Sequence, residues 1–106
     1  MKELPMIYAL NVYDIIPGKE STYARYVESI APLFENFDMA VAAAGQNPIR
    51  EISGQTRNHF ALVQFADIEN FDGFMAALKE NDFHRLREES TDNYLWTIYE
   101  AWGFDK

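Results

Sequence analysis

Four polar side chains interrupt stretches that are otherwise apolar, and their types could do chemistry: Asn11, Gln64, Glu100 and His84. Asn11 stands among Ile7, Ala9, Tyr13 and Ile15. A buried amide must find partners, because an unsatisfied polar group costs about 1–3 kcal/mol. It reads either as a satisfied amide in the core or at a subunit seam, or as a group that orients a ligand. Gln64 breaks the apolar run Phe60–Phe65, and Glu100 sits between Ile98 and Trp102. In an apolar cavity the pKa of Glu100 would rise, making it a general acid or base. At a strand end it would instead reach solvent or an arginine. His84 follows Phe83, and His59, the other histidine, begins a strand beside Arg57 and reads as a surface residue. Two isolated histidines lack the i, i+4 spacing of a metal site. The chain has no cysteine, so disulfides, thiolate catalysis and cysteine metal sites are excluded. Its serines lack a nucleophile elbow, and no Gly-rich phosphate loop is present. Any activity is therefore expected to need neither metal nor cofactor.

The elements that must carry these residues follow from the periodicity. Met6–Ile16 reads as a strand, β-branched and aromatic, ending at Pro17-Gly18. Neither of its faces is polar, so it belongs to a sheet covered on both sides. Lys19–Phe37 reads as a helix whose stripe includes Tyr23, Tyr26, Ile30, Leu33 and Phe37. Pro32 lies inside it and should kink or break it. Met39–Ser53 reads as a second extended segment, interrupted at Gly45, Asn47 and Pro48 and extended again over Ile49–Ile52. Asn58–Ala66 is a third strand, paired with the second as a hairpin. Asp67 can cap a second helix with the stripe Phe71, Phe74, Met75 and Leu78. A short helical turn over Phe83–Glu89 and a last strand over Asn93–Gly103 complete the chain. The order β-α-β-β-α-β gives a ferredoxin-like α+β sandwich: four antiparallel strands with both helices on one face.

A chain of 106 residues is one domain, 1–106. It is small for its load of 48% hydrophobic and 15% aromatic residues. Helices cover one side of the sheet, and a second copy of the same sheet is the simplest lid for the other. A homodimer through the sheet faces is therefore expected. Nine basic residues against 17 acidic ones leave a net charge of −8, which argues against nucleic acid and anionic membrane as partners. No apolar run approaches the roughly 20 residues of a membrane span, and no apolar stretch of signal-peptide type follows Met1–Pro5. A cytoplasmic location is expected.

Several stretches carry a resemblance: Tyr23-Ala24-Arg25-Tyr26 with Ala31-Pro32-Leu33, Arg50 to Gly54, Phe60 to Asp67, and Asp82-Phe83 before Arg85 and Arg87. On these the chain resembles the dimeric α/β barrel superfamily, and within it the uncharacterised DUF1330-type proteins, over nearly its whole length. That superfamily includes cofactor-free monooxygenases, haem-degrading monooxygenases, isomerases, peroxidases and stress-responsive proteins, so the fold alone does not settle function. In the haem-degrading branch an Asn on strand one works with a Trp and a His on or after the second helix. Asn11 fits the first place, but Ala76 to Leu78 and Arg85 with Arg87 occupy the others, which disfavours haem degradation. The resemblance implies a small-molecule pocket between sheet and helices, with the turn bearing His84 closing one end. Two readings follow. One is a cofactor-independent monooxygenase or isomerase acting on a small aromatic or lactone-like compound; the other is a non-catalytic ligand-binding or stress-associated dimer. The enzyme reading expects Asn11 in the pocket together with Gln64, Glu100 or His84. The binding reading expects an apolar pocket with no poised acid or base.

Overall fold

A computed structural model describes residues 6–103. In chain order the elements are β1 (Ile7–Ile15), α1 (Glu20–Ile30), α2 (Leu33–Asn36), β2 (Met39–Gln46), β3 (His59–Phe65), α3 (Ile68–Glu80), α4 (His84–Ser90) and β4 (Thr91–Glu100). The strands form one antiparallel sheet in the order β2-β3-β1-β4. The two hairpin strands end side by side, and β1 lies between β3 and β4, as two split crossovers require.

Local chemistry sets the boundaries. Gly18 turns the chain into α1 with a φ of 89°, a conformation that costs a side-chain-bearing residue far more. Its N–H donates to the Glu20 carboxylate at 3.1 Å, in the first turn of α1 where negative charge suits the helix dipole. Pro32 breaks the first helix as expected. It has no N–H to give to Glu28, so α1 stops before it and the single turn α2 starts after it. Asp67 caps α3 by accepting from the Asn70 N–H at 2.8 Å.

Two expected strands have different bounds. β2 ends at Gln46, and Ile49–Ile52 does not extend it. Asn47 takes a positive φ of 55°, its N–H donates to the Asn58 carbonyl at 2.8 Å, and Pro48 has no N–H for a ladder. The chain between is a long loop on which Ile49 and Ile52 are almost fully exposed. β4 starts two residues early, at Thr91, and ends at Glu100. A bulge sets that start: Asn93 adopts a φ of 54°, and the register against β1 shifts between Val12 and Asp14. Asp14 pins the bulge, accepting from the Asn93 side chain at 2.9 Å and from the Asn58 N–H at 2.7 Å.

The pleat assigns the sheet faces. Ile7, Ala9, Asn11 and Tyr13 of β1 are buried beneath the helices. Together with Tyr26, Met39, Phe65, Phe74 and Leu78, the apolar members of this set form the core. Full burial of such a side chain contributes about 1.5–3 kcal/mol. Tyr8, Leu10 and Val12 point the other way and pair with Gln64, Leu62 and Phe60 of β3. Leu95 and Tyr99 of β4 continue that second face, both half-exposed. Phe60 lays its ring over Gly45 of β2, where a Cβ would collide with it. Among the described residues, no helix covers this face.

Candidate functional site

A cavity of about 250 Å³ opens between α1 and the helix-side face of the sheet. Its walls are mainly apolar: Val27 and Ile30 from α1, Ala61, Val63 and Phe65 from β3, and Phe74 from α3. Four tyrosines line it, Tyr13, Tyr23, Tyr26 and Tyr94, and with one amide they supply its polarity. The Tyr13 and Tyr23 hydroxyls lie 2.6 Å apart, so one donates to the other and a single phenolic hydrogen stays free. The Tyr94 hydroxyl donates to Asn11 Oδ1 at 2.6 Å. Asn11 Nδ2 donates to the backbone carbonyls of Ala9 and Ala61, each at 3.3 Å. Asn11 is thus a cavity-wall residue whose amide is already partnered, so its main role is to hold Tyr94 in place.

Sequence position explains this cluster. Tyr13 and Tyr94 sit side by side at the β1–β4 bulge, their rings stacked at 4.9 Å. His59, paired with Tyr13 on β3, stacks on the same ring at 5.5 Å. His59 is therefore half-buried and not the surface residue its sequence context indicates; its Nδ1 is buried without a hydrogen-bond partner. Tyr23 descends from the first full turn of α1 to close the group.

The electrostatics keep the phenols neutral. Burial pushes Tyr13, Tyr23, Tyr26 and Tyr94 above the ordinary tyrosine range. The Tyr13 hydroxyl pushes Tyr23 further in the same direction, while the Arg87 guanidinium partly offsets the effect at Tyr26 and Tyr94. These groups can donate and accept hydrogen bonds, but none is set up to lose its proton near neutrality. Among the described residues, no carboxylate or imidazole lines the cavity.

Of the four residues singled out by sequence, the cavity brings in Asn11 alone. Gln64 pairs with Tyr8 and Ala40 on the opposite face, because the pleat puts alternate residues of β3 on opposite sides. Glu100 is exposed at the end of β4. His84 lies in α4, its Nδ1 3.4 Å from the Leu78 carbonyl and its Nε2 3.8 Å from Asp82, and it lines an outer groove between α3 and α4. Sequence reasoning did not single out the hydroxyls of Tyr13, Tyr23 and Tyr94. The available signal was their polar tips on otherwise apolar faces. Among the described residues, no group of three or more His, Asp or Glu side chains could hold a metal ion. Likewise, no helix there is long and apolar enough to cross a membrane.

No protein-family model and no curated protein sequence matches this chain. Solved structures do resemble it. A protein of unknown function from Rhodopseudomonas palustris superposes with a TM-score of 0.80 at 15% identity, over 94% of this chain and 85% of the other. A dimeric protein of unknown function and ferredoxin-like fold from Bacteroides fragilis does so with a TM-score of 0.59 at 13% identity, over 91% and 96%. The chain has the ferredoxin-like fold. An uncharacterised NIPSNAP-like domain protein from Burkholderia xenovorans shares it, with a TM-score of 0.63 at 16% identity over 96% and 90%. At these identities the likeness carries architecture and no activity.

Proposed function

We propose that this ferredoxin-like chain is a ligand-binding member of the dimeric α/β barrel superfamily, of the DUF1330 type, that holds a small, neutral, mainly apolar molecule beneath α1. The observation that carries this reading is the cavity wall: apolar surface closed at one end by hydroxyls and an amide, without a charged group. Its volume of about 250 Å³ lies below the roughly 300–1,000 Å³ of sites for drug-sized ligands, which suits one or two aromatic rings. The free phenolic hydrogen of the Tyr13–Tyr23 pair favours a ligand bearing a carbonyl or hydroxyl oxygen. Gln64, Glu100 and His84 lie outside the cavity, so the monooxygenase or isomerase reading lacks the acid or base that it would draw from them.

The assembly belongs to the same proposal: two copies joined through the open sheet faces. Tyr8, Leu10, Val12, Phe60, Leu62 and Leu95 make a continuous uncharged patch on that face, with Asp14 beyond it at the end of β1. If a standard interface of about 800 Å² per chain forms there, apolar transfer at about 25 cal/mol per Å² favours it by many kcal/mol. That exceeds the lower range of association costs, about 4–15 kcal/mol. Two measurements test the proposal. Light scattering should give twice the 12.3 kDa chain mass. Titration with 2-naphthol should quench the fluorescence of Trp96, which lines the cavity, saturating at one molecule per chain. Filling the cavity with Ala61→Phe should abolish that quench. A monomer, or quenching that Ala61→Phe leaves intact, would overturn the corresponding half.

A further inference from the structure

We infer that the arm between β2 and β3, residues 47–58, clasps a second copy of the chain, with Ile49 and Ile52 packed on the partner's open sheet face. The inference rests on the sheet-to-sheet reading and adds to it a contact made outside the strands.

The arm is held at its base. The Asn47 N–H donates to the Asn58 carbonyl at 2.8 Å, and the Asn58 N–H donates to the Asp14 carboxylate at 2.7 Å. Arg57 Nε donates to the Asn93 carbonyl at 2.8 Å and ties the arm to β4. Gly54 turns the chain within the arm, with a φ of 78°. A loop pinned in this way loses less freedom on docking than a loose one.

Beyond that base the arm offers apolar surface. Ile49 is 98% exposed and Ile52 86%. Two isoleucines so open on one short arm make a contact surface rather than scattered exposure. Beside them lies a groove of about 560 Å³. Its floor is Val12 and Phe60 of the open sheet face, and Pro48 and Ile49 line its arm side. The arm is therefore continuous with the face assigned to the second copy. A two-fold axis there makes every arm contact twice.

Charge selects the same occupant. The arm carries Arg50 and Arg57 against one acid, Glu51, in a chain whose net charge is −8. Asp14 partly answers Arg57 within the chain. Arg50 makes no ion pair among the described residues. A basic arm on an acidic body finds its complement in another copy of that body. Arm-to-body attraction also offsets part of the repulsion between two chains of like charge.

The test uses thiol reactivity. The chain has no cysteine, so Ile52→Cys supplies its only thiol. Its reaction with dithiobis(nitrobenzoate) is followed in the dimer and in the Leu10→Asp background, with light scattering giving the mass of each. The thiol should react at least about tenfold more slowly in the dimer. Ser21→Cys, at an exposed position of α1, should react alike in both. Ile52→Asp, on a loop outside the core, should weaken dimerisation about a hundredfold or more on dilution, because it removes two buried isoleucines per dimer. Arg50→Glu should weaken it about two- to fivefold. A dimer whose thiol at position 52 reacts as fast as in the Leu10→Asp background would overturn the arm contact and leave the sheet-to-sheet reading standing. So would an unchanged dimer affinity in Ile52→Asp. A monomeric wild-type chain would overturn both.

Discussion

Ala9 and Leu10 are neighbours in β1, yet Ala9 is 1% exposed beneath the helices while Leu10 lies on the face that none of the described helices covers. The same split runs across β3, where Phe65 is 1% exposed and Phe60 39%. Both faces of the sheet are apolar. One is closed by α1 and α3, leaving a small cavity with a neutral polar end. The other carries one charged side chain on its central strands, Asp14 at the end of β1, and is the face proposed to meet a second sheet. The contrast teaches that strands lacking polar alternation describe two interfaces, of which one chain can satisfy only one.

The sharpest way to break this comparison is to place the same charge on each face. Ala9→Asp should prevent folding, since an unpaired carboxylate in the core has no partner. Leu10→Asp should leave a folded monomer, read as native circular dichroism with half the light-scattering mass. If both variants unfold, the open face is part of the intrachain core. Next in size is a pair of truncations. Phe65→Ala should cost about 3–5 kcal/mol in urea unfolding. Phe60→Ala should cost under about 1.5 kcal/mol when the chain is dilute enough to be monomeric, and show its larger effect on dimer dissociation.

A smaller effect sharpens the cavity side. Asn11→Ala removes the acceptor of the Tyr94 hydroxyl and should cost about 1–3 kcal/mol. Adding Tyr94→Phe should recover part of that loss, because the orphaned hydroxyl is gone. Additive losses in the double variant would show that the two groups do not act together. The smallest effect near neutrality is a pH dependence. Tyr13, Tyr23, Tyr26 and Tyr94 have pKa values raised above the unfolded value near 10.0. The folded chain therefore holds more protons than the unfolded chain once pH passes 10. The stability these groups contribute is complete below that point and declines as pH rises toward their folded values. Tyrosinate absorbance of these four should appear together with unfolding, and its appearance in folded protein would show that they are open to solvent.

Much of the architecture was legible in the residues. The β-α-β-β-α-β order, the break at Pro32 and the cap at Asp67 each rest on local chemistry that tertiary context leaves alone. Ile49 and Ile52 look like strand residues, but the positive φ of Asn47 ends β2 before them. The site was far less legible. A pattern of period two defines two faces without saying which one meets the helices, so Asn11 and Gln64 looked equivalent until the pleat separated them. His84 and Glu100 drew attention as titratable groups. The cavity instead draws its polarity from tyrosines that resemble ordinary packing residues, and Arg87 reads as half of a basic pair until its stacking on Tyr94 and Trp96 is seen.

The most direct test of the account is a crystal structure of the chain grown with 2-naphthol. The account places ligand density beneath α1, its oxygen within hydrogen-bond distance of the Tyr13 or Tyr23 hydroxyl, with the open sheet faces of two chains against each other. Density on the open face, with the space under α1 filled by side chains, would contradict it.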